Sequence, residues 1–140
     1  MTVDLPPPLP VTDDPDTAGF WEAAQRGCIA VLRCAACGNL LHLPTPYCAG
    51  CDSWDVAWQD VRPHGRVYSF TVVEQSVHPA FPAPYTIVLV DLDDAPGARL
   101  VGHLPGRADV TVGMPMTATF ETRDGVSVPQ WEPSNAVADP

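Results

Sequence analysis

The sequence predicts a mainly β protein, in which a short N-terminal helix and a small metal-binding ribbon precede a β-rich body. Two pairs of cysteines with CxxC spacing predict the ribbon. Several apolar or alternating runs, separated by turns rich in proline and glycine, predict the β-rich body. A chain of 140 residues with 46% apolar side chains is long enough for one such domain with its own core.

The N-terminal region is predicted to change from an extended tail to a helix. Residues 1–15 are rich in proline, which removes backbone donors, so we expect a disordered tail there. Residues 16–33 are expected to form the helix and one strand that leads into the first cysteine. Asp16 or Thr17 can cap this helix, and Gly27 can end it.

The most specific local pattern in the chain is its cysteine spacing. Each CxxC lets two thiolates from one tight turn reach the same ion, and four thiolates complete the tetrahedron that zinc accepts. We therefore predict a zinc ribbon over residues 34–54, with one structural Zn²⁺ per chain. The predicted ligands are Cys34, Cys37, Cys48 and Cys51.

Two other uses of these cysteines stay open from the sequence. A four-sulfur iron site takes the same ligands, although such proteins usually carry a longer central segment, and two redox-active disulfides would need a βαβ context that is missing. Four protein ligands leave no open position for a substrate, so we expect a structural metal. Gly38 and Gly50 suit the turns, and Cys28 is expected to be a small buried apolar residue.

The β-rich body is predicted over residues 55–133. Several strands at short spacing, with almost no helical stretch between them, indicate a small closed or sandwich-like β structure. Residues 134–140 are expected to form a second disordered tail. The predicted strands lie at 56–58, 65–75, 84–93, 99–104 and 116–122.

Charge and motif content exclude several classes of function. The net charge of -10, with seven arginines and no lysine, argues against nucleic acid as a partner because phosphate contacts need a basic face. Neither a membrane-spanning run nor a signal peptide is visible, so we expect a cytoplasmic protein with no membrane partner. No nucleophile, phosphate-loop or dinucleotide motif is present, so no catalytic residue is assigned. Four histidines are expected to be surface or hydrogen-bonded residues: His42, His64, His78 and His103.

The order of these segments resembles a family of acyl-CoA-associated proteins, long catalogued as a domain of unknown function. The resemblance covers residues 17–133 and is carried by the segments FWEAAQRG, CAACGNLLHLPTPYCAGC, GRVYSFTVV, PYTIVLVDLD and VGMPMTATFE. It implies an N-terminal helix, a rubredoxin-like zinc ribbon and an OB-fold β-barrel.

The resemblance also implies a function. Members of this family look like non-catalytic accessory subunits of thiolase-fold enzymes that act on acyl-CoA thioesters, including acyltransferases and the retro-aldolases of steroid side-chain degradation. Some members are bound to an enoyl-CoA hydratase. We therefore expect a subunit that such a complex requires, which helps to position the acyl-CoA and has no activity alone.

Two sets of residues are candidate contact sites. A proline-rich loop, residues 78–85, carries Phe81 and ends at Tyr85. Proline lowers the ordering entropy of a loop, and aromatic side chains are favoured interface anchors. This loop is expected to contact the partner or the substrate entrance, and the alternative is that Phe81 caps the barrel core. Coenzyme A phosphates need positive charge, which Arg33, Arg62 and Arg66 near the cysteines can supply.

Two rival functions remain open at this point. A nucleic-acid-binding OB-fold protein is disfavoured by the acidic charge, and a stand-alone acyl-CoA thioesterase is disfavoured by the missing catalytic set. Co-purification separates these hypotheses, because a thiolase-fold partner supports the accessory subunit and bound nucleic acid supports the first rival.

Overall fold

The structure is a computed structural model that describes residues 4–134. The remaining residues of the predicted C-terminal tail, 135–140, lie outside the described residues. The described part of the chain contains one helix and eight strands, and residues 4–13 belong to neither. No helix among the described residues has the length and apolar character needed to cross a membrane.

The predicted N-terminal helix is present as α1, Ala18–Gln25. The carbonyl oxygen of Asp14 accepts the backbone N–H groups of Thr17 and Ala18 at 3.0 and 2.8 Å. The helix start is therefore satisfied by the backbone, and the predicted capping bond from the Thr17 side chain is not made. After the helix, Gly27 adopts a φ of 72°, where glycine has no steric penalty, and the chain turns into the first strand.

The strands form two antiparallel sheets. The first sheet has three strands in the order β2-β1-β3, and the second has five in the order β6-β5-β4-β7-β8. The strand bounds are β1 Ile29–Cys34, β2 Leu40–Leu41, β3 Val56–Val61, β4 His64–Val73, β5 Tyr85–Leu92, β6 Ala95–Pro105, β7 Pro115–Arg123 and β8 Val126–Pro133.

The three-stranded sheet fixes the entrance and the exit of the cysteine segment. Strand β1 leads into the cysteines, β3 leads out of them, and the two strands pair along their whole length, with Cys34 opposite Val56. The predicted boundary between the ribbon and the barrel, at residues 54 and 55, falls before β3. In the structure, β3 pairs within the three-stranded sheet, and the chain then continues almost directly into β4 of the larger sheet.

The five-stranded sheet curls into a partly open barrel. Strand β4 carries a bulge between Val67 and Ser69, and it pairs with β7 only over the three residues His64–Arg66. The two outer strands, β6 and β8, approach each other across a seam, where the backbone N–H of His103 donates to Oε1 of Gln130 at 2.8 Å. A side chain thus bridges the seam between the outer strands.

The mainly β prediction is confirmed, but it missed strands β2 and β8 and the start of β6. Strand β8 contains Pro129 and Pro133; proline is tolerated at a sheet edge, and β8 has β7 as its only sheet neighbour among the described strands. Strand β6 begins at Ala95, four residues before the prediction, because the backbone N–H of Gly97 donates to the Asp91 carboxylate at 2.9 Å and holds the hairpin together.

The structure has two hydrophobic cores, and strand β1 contributes to both. Ile29 and Val31 pack into the main core with inward side chains of the barrel. Leu32 and Cys34, which alternate with them, belong to a smaller core under the ribbon. The ribbon is therefore attached to the barrel through one shared strand. The barrel residues of the main core include Val67, Val88, Val90, Leu92, Met116 and Trp131.

Candidate functional site

Two tight turns position the four cysteines. In the first turn, the backbone N–H of Gly38 donates to the Cys34 carbonyl at 2.8 Å, and Gly38 has the predicted left-handed conformation with a φ of 76°. In the second turn, the N–H of Asp52 donates to the Cys48 carbonyl at 2.7 Å. Here Asp52 takes the left-handed conformation, at a φ of 62°, instead of Gly50; aspartate tolerates it better than most residues do.

The four predicted ligand sulfurs form one compact group. All four Sγ atoms lie within 4.8 Å of one another, with 3.6 Å between Cys34 and Cys51 and 3.7 Å between Cys37 and Cys48. Metal–sulfur bonds of about 2.3 Å place the sulfurs of a tetrahedral site roughly 3.8 Å apart. The cysteines therefore fit a four-thiolate metal site. Cys28 is half-buried, outside this group, with its sulfur 3.7 Å from the Arg26 carbonyl oxygen.

The thiols of the group differ in acidity. Burial acts to raise the pKa of Cys48, but the backbone N–H groups of Cys51 and Gly50 donate to its thiolate and lower the pKa to about 6. The N–H of Ser53 favours the Cys51 thiolate, yet the neighbouring sulfurs, that of Cys34 first, raise the pKa of Cys51 to about 12. A cation that binds here must therefore displace protons from some of the sulfurs.

The three arginines proposed for coenzyme A phosphates are all held by hydrogen bonds within the chain. Arg33 donates to the Asp94 carbonyl at 3.3 Å, and Arg62 donates to the Asp94 carboxylate at 2.7 Å. The Arg62 guanidinium lowers the pKa of Asp94 to about 2. Arg66 donates to the Gly113 carbonyl at 3.2 Å. All three thus make hydrogen bonds within the chain, and two of them converge on the β5–β6 turn.

The aromatic residues of the proline-rich loop lie in a cluster of rings at one end of the barrel. Tyr85 is buried and Phe81 is half-buried. The ring centroid of His103 lies 5.0 Å from that of Tyr85 and 5.5 Å from that of Phe81. The Arg123 guanidinium lies 5.8 Å from the Phe81 ring. Sequence reasoning missed His103 and Arg123 as members of this cluster. Pairing β5 and β6 as a hairpin sets His103 opposite Ile87, on the face that carries Tyr85, and would have found the histidine.

Comparison with known proteins supports the predicted family. A family model described as the C-terminal OB-fold domain of ChsH2 matches residues 58–121, which confirms the OB-fold body. A probable enoyl-CoA hydratase alpha subunit of Thermomonospora curvata is 37% identical over 85% of this chain. The 3-oxo-4,17-pregnadiene-20-carboxyl-CoA hydratase alpha subunit of Mycobacterium tuberculosis is 33% identical over 84% of it. The chain spans 38% of the length of each of these two relatives.

A solved structure gives a match over a whole chain. One chain of the Ltp2-ChsH2(DUF35) aldolase superposes with a TM-score of 0.78 at 35% sequence identity. The superposition covers 89% of the present chain and 98% of that chain. Sequence identity at this level over nearly the full length indicates membership of the same family as well as the same fold. The chain therefore belongs to the DUF35 family, which includes ChsH2.

Proposed function

We propose that the chain is a non-catalytic accessory subunit, which binds a thiolase-like acyl-CoA enzyme and helps to position the acyl-CoA substrate. The similarity to a chain of the Ltp2-ChsH2(DUF35) aldolase carries this proposal. The expected reaction of the partner is a retro-aldol cleavage or an acyl transfer in steroid side-chain or lipid degradation. Because two relatives are hydratase alpha subunits, an enoyl-CoA hydratase is a second candidate partner.

The cysteine group supports a structural role for the metal. Four thiolates on a tetrahedron are the donor set that Zn²⁺ accepts, so we propose one Zn²⁺ per chain. When bound, the ion joins the two cysteine turns and takes no part in the reaction. Because the four sulfurs fill the coordination sphere, substrate has no position on the metal. The side chains of the ribbon and the barrel then hold these two parts of the chain together.

We place the partner contact or substrate entrance at the proline-rich loop. Phe81 is half-buried and reaches solvent at the edge of the ring cluster, whereas Tyr85 is only 7% exposed. Phe81 is therefore the residue that a partner can cover, and Tyr85 supports it from below. Among the three arginines, Arg33 and Arg62 are held at the β5–β6 turn. Arg66 makes one contact to a backbone carbonyl, and we keep it as the candidate phosphate contact.

Co-purification and titration with a thiolase-fold partner test this function. Tagged chain expressed in its native host should recover the partner, and Phe81→Ala should weaken the complex by about 2 kcal/mol, the range of an aromatic hot spot. Phe70, 41% exposed on β4, is the matched control, and Phe70→Ala should leave the affinity unchanged. Recovery of nucleic acid without a protein partner, or acyl-CoA turnover by the pure chain, would refute the accessory role.

A further inference from the structure

A cleft of about 280 Å³ lies on the face of β5 and β6 that points away from the core. The loop before β5 forms one wall and the β7–β8 hairpin forms the other. OB-fold proteins bind their ligands on the second and third barrel strands and the loops beside them, which is this position. Its volume is close to the lower end of small-molecule sites, about 300–1,000 Å³, so it suits a small ligand. The apolar lining is Phe81, Tyr85, Ile87, Val101, Val128 and Pro129.

Two polar groups at the cleft have unused hydrogen-bonding capacity. Nε and Nη2 of Arg123 donate to the Glu121 carboxylate at 3.0 and 3.1 Å, and Nη1 has no hydrogen-bond partner within residues 4–134. Nε2 of His103, which was expected to be exposed or hydrogen-bonded, is buried and has no partner in the same range. An unpaired buried polar atom costs free energy, so a ligand group that pairs with Nε2 of His103 gains affinity, and Nη1 of Arg123 offers a second donor at the cleft.

The charge of the cleft selects the kind of ligand. Hydrogen bonds from Arg123 lower the pKa of Glu121, so both partners are ionised at neutral pH and their charges cancel. A carboxylate or phosphate placed here would lose its hydration without gaining a net opposite charge, and it would lie near the Glu121 carboxylate. A carbonyl group can accept a hydrogen bond from the Arg123 guanidinium without this penalty.

We propose that this cleft binds a small uncharged ligand with an apolar body and a carbonyl group, as in an amide or a thioester. The apolar body packs against the Phe81 and Val101 side chains, and the carbonyl oxygen accepts from Nη1 of Arg123. Nε2 of His103 then pairs with the same ligand, as donor or acceptor according to its tautomer. The cleft shares Phe81 and Tyr85 with the proposed partner contact or substrate entrance, but ligand binding by the chain alone can fail or succeed independently of the accessory function.

Titration of the metal-loaded chain with benzamide, followed by amide chemical shifts in NMR, tests the proposal. The expected dissociation constant is on the order of 1 mM, as for a fragment-sized ligand. Shifts should be largest around His103 and Val101. Benzoate, which has the same shape and a charge, should bind at least about tenfold more weakly. Equal or tighter binding of benzoate would overturn the proposal, as would the absence of benzamide shifts in the cleft at about 20 mM.

Two matched variants locate the binding site. Val101 lines the cleft and is 62% exposed, so Val101→Asp should fold normally and weaken benzamide binding by about tenfold. Val112 is 68% exposed and lies outside the cleft, so the Val112→Asp variant should bind benzamide with the same affinity as the unsubstituted chain. Equal effects of the two substitutions, or benzamide shifts confined to the apolar groove beside Phe20 and Trp21, would place binding elsewhere and refute the inference.

Discussion

Removal of one cysteine ligand should unfold the ribbon and leave the barrel intact. The substitution is Cys48→Ser, at a side chain that is 0% exposed. Apart from the cysteines themselves, the ribbon core contains two buried leucines, Leu32 and Leu41, with two half-buried neighbours. Such a small core cannot order the turns by itself, so the metal provides most of their stability.

The size of the effect follows from the arrangement of the two cores. Loss of a side chain that only hydrogen-bonds to a metal ligand lowers the metal affinity about 10- to 100-fold. Loss of a ligand itself should therefore lower the metal affinity at least about 100-fold. Binding to a structural zinc site contributes roughly 10–16 kcal/mol in small zinc modules, and this free energy is mostly lost from the ribbon. The barrel keeps its own core, and Ile29 and Val31 of β1 stay packed in it.

Metal analysis and hydrogen exchange measure these two outcomes. The variant should hold much less than one metal ion per chain, and amides of residues 35–54 should lose protection while those of β5 keep it. Cys28→Ser is the control, because its sulfur lies outside the metal group and should change neither result. A Cys48→Ser protein that retains a full metal ion, or that loses protection in β5 and the ribbon together, would refute the reasoning.

Three further predictions follow from single contacts. Because protons compete for the sulfurs and the Cys48 pKa is about 6, metal affinity measured with a chromogenic chelator should fall as the pH is lowered from 7 to 5; an unchanged affinity would contradict this. Hydrogen bonds from Arg62 lower the pKa of Asp94 to about 2, so this contribution to stability is complete above about pH 4 and is lost as the pH falls through about 2. Urea titrations of the Arg62→Ala, Asp94→Asn cycle at pH 7 should give a coupling below about 1 kcal/mol, because Arg62 is 68% exposed, and a much larger value would show a buried pair. A Cβ atom at Gly65 would overlap the Asp91 carbonyl oxygen, so Gly65→Ala should lower the free energy of unfolding by more than about 2 kcal/mol, and an unchanged melting curve would refute this.

The cysteine turns and most strands could be predicted because their signals are local. CxxC pairs fix the ligand group through spacing alone, and alternation or β-branched runs mark strands such as β5. The shared role of β1 could not be predicted, because it depends on which side chains face each core. The cleft was missed for the same reason, since His103 and Arg123 lie 20 positions apart and meet only when β6 and the β7–β8 hairpin approach each other.

Charge pairing connects the acidic composition to the kind of partner that the chain can take. Five of its seven arginines form ion pairs, and the other two donate to backbone carbonyls. Most of the arginine charge is thus paired within the chain, whereas a nucleic-acid backbone requires a face of unpaired basic side chains. It also explains why the cleft is neutral and why a partner surface should be neutral or basic where it meets this chain. We therefore expect recognition of the proposed partner to come from shape and apolar contact at residues such as Phe81. The ion pairs are Arg26–Asp60, Arg62–Asp94, Arg99–Asp91, Arg107–Glu74 and Arg123–Glu121.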